Sequence, residues 1–190
     1  IQLSLHSDLL ITSAGVSGGA YDLVKNVLSD LGTVDFWSVK MRPAKPIAFG
    51  LLKHEDRGIP HIGLPGNPVS ALVALVEFAR PAIMKMMGKK ISNLPTVEAI
   101  LDDSIENTDG RRVYARVHLY EDSGSIHAKL TGSQGSNLLT SMTSANGLAI
   151  CHEDLPKLAK GNKVVVQLLD WLDQYGLLTK QKEISVTQGK

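Results

Sequence analysis

Three short segments of the chain have residue types that suit the binding of an oxyanion. The first is the turn Pro65-Gly66-Asn67, which separates an apolar run ending at Leu64 from an apolar run starting at Val69. Asn67 is a typical N-cap, and Pro68 suits the first helical position because its missing N–H would be unpaired there anyway. Such a turn presents free N–H groups and a partial positive charge at a helix N-terminus, which favours an anion. The alternative is an ordinary strand–turn–helix corner, because the dipeptides Pro-Gly and Asn-Pro are common in turns and loops.

A glycine-rich loop over residues 14–20 has a similar setting. It follows the short apolar run 8–13 and precedes an amphipathic run over 21–32, so it predicts a second strand–loop–helix unit. Glycine lets the backbone approach a ligand closely, and the hydroxyl of Ser17 adds a donor. The pattern matches neither the nucleoside-triphosphate loop nor the dinucleotide fingerprint, so by itself it names no ligand.

The third segment carries two cations, Arg42 and Lys45. Pro43 and Pro46 interrupt this stretch, so it cannot form a regular element, and it directly follows a predicted strand over residues 35–41. Cations held on a stiff turn at the end of a strand suit phosphate or another oxyanion. Two solvated surface cations are the alternative interpretation.

The elements that would position these segments alternate between strands and helices, which indicates an α/β sheet with packed helices. The predicted elements are strands over 8–13, 35–41, 47–52 and 59–64 and helices over 21–32 and 69–87. The strands 47–52 and 59–64 predict a hairpin. The last helix should kink near Arg80, because Pro81 lies inside it. In the predicted strand 35–41, every second residue shares a face, and Trp37, Val39 and Met41 lie on one face.

The pattern changes after the polar, proline-containing stretch Lys89–Pro95, where we place a domain boundary. Beyond it the chain predicts strands alone, which form a small all-β module. The predicted strands are 97–101, 111–120, 125–130, 147–151 and 163–169. In the strand 111–120, Tyr114 and Arg116 face one way and the apolar residues the other. Residues 171–190 lose periodicity and predict a loosely ordered tail.

Composition excludes several classes of protein. The 190 residues carry a formal net charge of only +1 and 5% aromatics, which argues against a nucleic-acid binder. No apolar run reaches the ~18 residues of a membrane span. The single cysteine, Cys151, excludes an internal disulfide and fits the reducing cytoplasm. His54 and His61 have no second ligand at metal spacing, so we expect both to be structural.

Several of these pieces occur in an order that resembles the molybdopterin molybdenumtransferase family, which comprises bacterial MoeA and the gephyrin E domain. The resemblance covers about residues 8–170. In the first half it rests on Thr12–Ser17, Asp22, Met41–Pro46 and Leu64–Ala71. In the second half it rests on Gly110–Arg112, Arg116, Gly132–Ser136 and Ser144–Ala149.

The resemblance implies a fold and an assembly. The fold is a three-layer α/β/α (MogA-like) domain over residues 1–91, incomplete at its N-terminus, followed by a small all-β barrel-like domain over 92–170. Family members are homodimers when full length. Because the chain starts at Ile1 without an initiator Met, we expect a C-terminal fragment that is inactive alone. The absent part would include an acidic glycine loop that helps to hold nucleotide and metal.

The resemblance also implies an activity. The family inserts molybdate into adenylylated molybdopterin and releases AMP, with Mg²⁺ as the divalent cation. Substrate-binding groups would come from Gly15, Ser17, Arg42, Pro65, Gly66, Asn67 and Ser70, and from Arg116 and Ser136 of the β domain. Lys45 and Asp22 would be the catalytic residues. Lys45 would neutralise molybdate or the pterin phosphate, and Asp22 would hold Mg²⁺ or position water.

The sequence departs from the family pattern at three positions. Ala20 stands where the family usually has Glu, Arg42 where it has Lys, and Ala14 where it has Gly. The loss of a carboxylate at Ala20 motivates an alternative, a binding or scaffold module that keeps the fold without the chemistry. Molybdopterin adenylyltransferase, which has a similar α/β fold, is a nearer rival. The appended β module and the segment Pro65–Ala71 favour the insertion enzyme.

Overall fold

The computed structural model describes residues 6–16, 23–89, 94–135 and 138–169 of the 190-residue chain. The chain divides into two compact units, residues 1–91 and 92–190. The expectations for Ile1–Leu5 and for the tail 171–190 lie outside the described residues. Within the described ranges, no helix combines the length and the apolar character that crossing a membrane requires.

The first unit contains a four-stranded sheet in the spatial order β1-β5-β4-β2. Its elements are β1 (Leu10–Ser13), α1 (Leu23–Leu31), β2 (Gly32–Ser38), β3 (Met41–Arg42), β4 (Pro46–His54), β5 (Arg57–Leu64), α2 (Pro68–Ala74) and α3 (Arg80–Met86). β1 runs parallel to β5, whereas β4 is antiparallel to both of its neighbours. The predicted hairpin is confirmed, and its strands extend to a tight turn at Glu55 and Asp56.

Helices cover both faces of this sheet. Side chains of a strand alternate between faces, so Leu52 and Phe49 of β4 point to opposite sides. Leu28 of α1 is fully buried in a cluster with Leu52 and Ile59. Phe78, which follows α2, makes an edge-to-face contact with Phe49 at 6.0 Å between ring centroids. The predicted three-layer α/β/α arrangement is therefore confirmed.

The long helix after Asn67 is interrupted where a proline enters it. α2 continues into a π-helical turn, Leu75–Ala79, and then into α3, in which Pro81 occupies the first turn. The irregularity thus comes just before Arg80, near the predicted kink, because Pro81 supplies no N–H to the regular ladder. The expectation that the helix after Asn67 packs against the sheet is wrong for its C-terminal end. Met86 and Met87 are 47% and 60% exposed.

Two boundaries in this unit differ from the prediction. α1 passes directly into β2 at Gly32. Glycine is required at this position, because a Cβ would lie 2.2 Å from the carbonyl oxygen of Leu51 on the neighbouring strand. β2 ends at Ser38, and a backbone turn in which the N–H of Met41 donates to the carbonyl of Val39 separates it from β3. Trp37 is 60% exposed on the edge strand.

The second unit is a closed five-stranded barrel, which confirms the predicted barrel-like module. Its strands β6 (Thr96–Leu101), β8 (Arg112–Asp122), β9 (Ser125–Leu130), β10 (Gly147–Cys151) and β12 (Lys163–Leu168) follow the order β10-β12-β6-β9-β8, and β8 pairs back with β10. Alternate residues of these strands fill the interior, among them Ala99, Val117, Ala149, Cys151 and Val166. The sequence did not predict the short pair β7 (Ile105–Glu106) and β11 (Lys157–Leu158) or the helix α4 (Leu139–Thr143).

Candidate oxyanion-binding site

The candidate site lies at one edge of the four-stranded sheet, where β1 and β5 end. Because these strands are parallel and Ser13 is in register with Leu64, the loops that follow them leave the sheet side by side. β4 begins and β2 ends at the same edge, since Pro46 pairs with Ser38. The edge therefore also carries Lys45. We call this end of the sheet the site edge. Open α/β sheets bind ligands at the carboxyl ends of their parallel strands.

The two glycine loops are joined by hydrogen bonds that extend the β1–β5 ladder. The N–H of Ala14 donates to the carbonyl of Leu64 at 3.0 Å, and the Ser13 hydroxyl donates to the carbonyl of Pro65 at 3.2 Å. Ala14 and Gly15 both have a left-handed backbone, with φ of 79° and 82°. This conformation turns the chain sharply away from β1. The close approach to a ligand that the sequence predicts for the glycine loop stays a prediction.

Val16 fixes the far side of the first loop onto the sheet. Its side chain is 5% exposed, and its Cγ1 lies 2.7 Å from the position that a Cβ on Gly63 would occupy. The Cβ of Ala48 and the imidazole of His61 border the same space, at 3.0 Å and 3.3 Å. Gly63 is therefore required here by close packing, and any larger residue would lift Val16 from the sheet.

The second loop has the predicted helix-capping geometry. Asn67 is the N-cap of α2, its side-chain oxygen accepts from the N–H of Ser70 at 3.5 Å, and Pro68 follows it. The first turn of α2 thus opens at the site edge with its positive dipole end. Gly66 is exposed and Pro65 is buried. Ser70 is only 7% exposed, so the helix start places its side chain inward.

The cation segment is a closed loop at the same edge. The N–H of Val39 donates to the carbonyl of Lys45 at 2.8 Å, and Ala44, which is 2% exposed, has a φ of 76°. These constraints hold the backbone of Lys45 in place while its side chain is exposed. Arg42 is half-buried. The predicted stiff turn is therefore present, and Lys45 is the cation that it presents to solvent.

A buried hydrogen bond ties β1 to β5 next to the loops. The hydroxyl oxygen of Thr12 lies 2.9 Å from Nε2 of His61, which is 1% exposed. Burial lowers the pKa of His61, because the charged imidazolium would lose its hydration. Among the described residues, Nδ1 of His61 has no hydrogen-bond partner. Sequence reasoning missed this pair, for which the only signal was two polar residues within apolar strands.

The described groups of the site edge suit an anion and not a cation. They comprise backbone N–H groups, hydroxyls and the cations Lys40, Arg42 and Lys45, and residues 13–16, 38–46 and 64–70 contain no carboxylate. No cluster of three His, Cys, Asp or Glu side chains in the described ranges is arranged to hold a metal ion. These residues therefore do not fit Mg²⁺ by themselves. Ser17 and Asp22 lie outside the described residues, so their predicted roles stay predictions.

The predicted site residues of the second unit belong to a different environment. Arg116 is 1% exposed, and its guanidinium donates to the Ser141 hydroxyl at 3.2 Å and to the carbonyl of Gly135 at 3.1 Å. Burial lowers its pKa to about 10. The side-chain amide of Gln134 accepts a hydrogen bond from the backbone N–H of Arg116 and donates one to the backbone carbonyl of Arg116. The expected polar face of β8 is therefore buried at Arg116, and Ser136 lies outside the described residues.

Of the predicted groups, the structure brings Gly15, the turn 65–67 and Lys45 to one edge of one sheet. Two family models match the chain. One, described as a probable molybdopterin binding domain, matches residues 1–85, and the other, described as the MoeA C-terminal region (domain IV), matches residues 98–169. The chain belongs to the MoeA family.

Relatives in the MoeA family are similar to most of this chain. The molybdopterin molybdenumtransferase of Haemophilus influenzae is 35% identical over 163 residues, which cover 85% of this chain and 39% of the relative. Gephyrin of Dictyostelium discoideum is 35% identical over 189 residues, covering 89% of this chain and 26% of gephyrin. The crystal structure of the molybdopterin biosynthesis MoeA protein from Pyrococcus horikosii superposes with a TM-score of 0.69 at 27% identity, over 88% of this chain and 39% of that one. The chain thus spans two fifths or less of the length of these MoeA-family proteins.

Proposed function

We propose that the site edge binds the phosphate and oxometalate groups of a molybdenum-insertion reaction. In this reaction molybdate enters adenylylated molybdopterin and AMP leaves. The observation that carries the proposal is the convergence of two glycine turns and Lys45 at the carboxyl ends of β1 and β5. The name of the Haemophilus influenzae relative, molybdopterin molybdenumtransferase, supports the same activity.

Each group at the site edge has a distinct task in this proposal. Gly15, Gly66 and Asn67 offer backbone N–H donors for phosphate oxygens, and at the two glycines no side chain stands in the way. Lys45 contributes a full positive charge, which offsets the charge of molybdate and of the departing AMP. Release of AMP breaks the phosphoanhydride bond as the oxygen of a water molecule bonds to one of its phosphorus atoms, so negative charge grows on the leaving phosphate. Ser17 adds a hydroxyl donor, and Arg42, with Ser70 nearby, adds to the positive field of the edge.

The remaining assignments rest on the family resemblance. Asp22 holds Mg²⁺ or positions water. The resemblance assigns molybdate contacts to Ser136 and to Arg116, whose guanidinium is buried and would have to leave Ser141 and Gly135 to make one. The activity belongs to the protein that contains this chain, which acts as a homodimer in the reducing cytoplasm. Cys151 is the single cysteine of the sequence and is buried, which is consistent with that compartment. Residues 1–190 by themselves should release no AMP, and measurable turnover by them would overturn that statement.

The test measures AMP release from adenylylated molybdopterin and molybdate by the full-length protein. Lys45→Ala should lower kcat/KM by about a hundredfold, because a charge contact to the leaving group is lost. The matched control is Lys53→Ala, since Lys53 is an exposed lysine at the opposite end of β4. Asp22→Ala tests the second catalytic assignment in the same assay. Equal rates in Lys45→Ala, Asp22→Ala and Lys53→Ala would remove both residues from the mechanism.

One observation favours a second candidate, a scaffold module that keeps the fold without catalysis. Ala20 replaces a carboxylate in the predicted glycine loop. Calorimetry of the full-length protein with AMP, Mg²⁺ and molybdate separates the two candidates. An enzyme should bind at least one of these ligands, whereas a pure scaffold should bind none at millimolar concentration.

A further inference from the structure

Gly66 and Ala14 touch across the gap between the two glycine loops. A Cβ built on Gly66 would lie 3.1 Å from the Cβ of Ala14 and 3.4 Å from its Cα. Gly66 is absent from the residues of positive φ, so its backbone conformation is open to any L-residue. A methyl group at position 66 would therefore crowd the methyl group of Ala14, and one of the two loops would have to shift by a few tenths of an ångström.

This contact lies within a set of links that join the loops into one body. We define the paired loops as residues 13–16 and 64–67. The Ser13 hydroxyl and the Ala14 N–H each donate to a carbonyl of the second loop, at 3.2 Å and 3.0 Å. Val16 is seated over Gly63. A displacement of one loop must therefore move the other, or break these links.

Ala14 is itself an unusual residue for its position. Its φ of 79° belongs to the left-handed region, in which an L-side chain is strained. Its N–H is engaged by Leu64, so the surrounding hydrogen bonds hold it there. A glycine at position 14 would relieve this strain and would also remove the methyl group that faces Gly66.

We propose that the Ala14–Gly66 contact sets the spacing of the paired loops and is a positioning element of the site edge for a phosphate group. This inference rests on the proposed function of that edge. Donors on two loops bind one phosphate well only if both lie at hydrogen-bond distance from its oxygens. A shift of a few tenths of an ångström between the loops lengthens one set of bonds and weakens binding.

A double-mutant cycle tests the contact in the full-length protein. The variants are Gly66→Ala, Ala14→Gly and the double variant, and the probes are inorganic phosphate and AMP, titrated by calorimetry. Gly66→Ala should weaken binding about tenfold, because the new methyl group pushes the loops apart. The double variant should recover most of this loss, since a methyl group is then present on only one loop. Equal affinity of Gly66→Ala and wild type, or no recovery in the double variant, would overturn the proposal.

A second readout separates this proposal from the function on which it rests. Hydrogen exchange of the Ala14 amide, without ligand, should accelerate in Gly66→Ala and return toward the wild-type rate in the double variant. The control is Gly58→Ala, which adds a methyl group at the far end of the sheet, where the flexible side chain of Leu51 lies 2.8 Å from the new Cβ. It should alter neither binding nor exchange at Ala14. Unchanged Ala14 exchange in Gly66→Ala overturns the contact itself, whereas coupled exchange with no phosphate or AMP binding by wild type overturns the proposed function.

Discussion

The hydroxyl oxygen of Thr12 lies 2.9 Å from Nε2 of His61, and this pair links β1 to β5 one residue before the paired loops begin. The ring of His61 is 1% exposed and also borders the space over Gly63 that Val16 fills. A charged imidazolium at this place would have no water around it and no negatively charged partner, because the hydroxyl of Thr12 is neutral. The site edge is therefore built on a histidine that must remain neutral.

The first prediction concerns the pH dependence of stability. Because burial lowers the pKa of His61 in the folded state, the unfolded chain binds its proton first as the pH falls below about 6.5. The free energy of unfolding should therefore be insensitive to this group above that pH and should fall as the pH drops toward 5. His61→Gln should flatten this slope in urea titrations at several pH values. His118→Gln, which changes an exposed histidine, should keep the wild-type slope, and an unchanged slope in His61→Gln would contradict the prediction.

The second prediction concerns the buried guanidinium of Arg116. Arg116→Met should lower the free energy of unfolding by about 2–4 kcal/mol, because it leaves the Ser141 hydroxyl and the Gly135 carbonyl without their buried donor. Arg112→Met is the matched control on the same strand. Its partner Glu153 is exposed, so the expected loss is below about 1 kcal/mol. Urea denaturation followed by circular dichroism measures both, and equal losses would show that burial of Arg116 is not the cause.

The third prediction concerns the cap of α2. Asn67→Ala removes the side-chain oxygen that accepts from the Ser70 N–H. The expected loss is about 0.5–1 kcal/mol, at the low end for N-caps because the bond is 3.5 Å long. Asn67→Asp retains an acceptor and should cost less. Thermal unfolding compares the two variants, and a larger loss in Asn67→Asp would argue against capping as the role of this residue.

The fourth prediction concerns a polar cluster on the barrel surface. The Tyr120 hydroxyl donates to Asp102 at 2.6 Å, and Nδ1 of His127 lies 2.9 Å from the other carboxylate oxygen. The hydrogen bond from Tyr120 is the main cause that lowers the pKa of Asp102, followed by that from His127. Carbon-detected NMR titration should therefore show a higher Asp102 pKa in Tyr120→Phe than in His127→Gln or wild type. The stability that Asp102 contributes is present above its ordinary pKa and is lost as the pH falls through its lowered value. An Asp102 pKa unmoved by Tyr120→Phe would assign the shift to another group.

The main features of the site edge were predictable from the proline, glycine and asparagine residues that define turns and helix starts. Pro65, Gly66 and Asn67 define a turn and a helix start through local rules, and the structure follows them. The proline-rich stretch from Pro43 to Pro46 likewise excludes a regular element whatever surrounds it. Such residues act through their own backbone, so their effect does not depend on which distant strand becomes a neighbour.

The rest depends on contacts between residues far apart in sequence. Gly32 is required in strand β2 because the backbone of Leu51 on the neighbouring strand approaches it closely. No local sequence pattern reveals this approach. Trp37 is exposed because β2 is an edge strand, a property of the finished sheet. Arg116 is buried because residues 134–135 and Ser141 supply its hydrogen-bond partners, and alternation along β8 alone predicts the opposite.

The parallel pairing of β1 with β5 has a consequence for how this unit folds. β2, β4 and β5 connect through short turns, whereas β1 joins β5 across about 50 residues of sequence. Loop-closure entropy makes such a distant pairing slow, so the three-stranded meander should form first. The hydrogen bonds between the paired loops exist only after β1 docks. The phosphate affinity that we propose for the site edge should therefore be acquired in the final stage of folding. A chain stalled before that stage should have most of its secondary structure and none of this affinity.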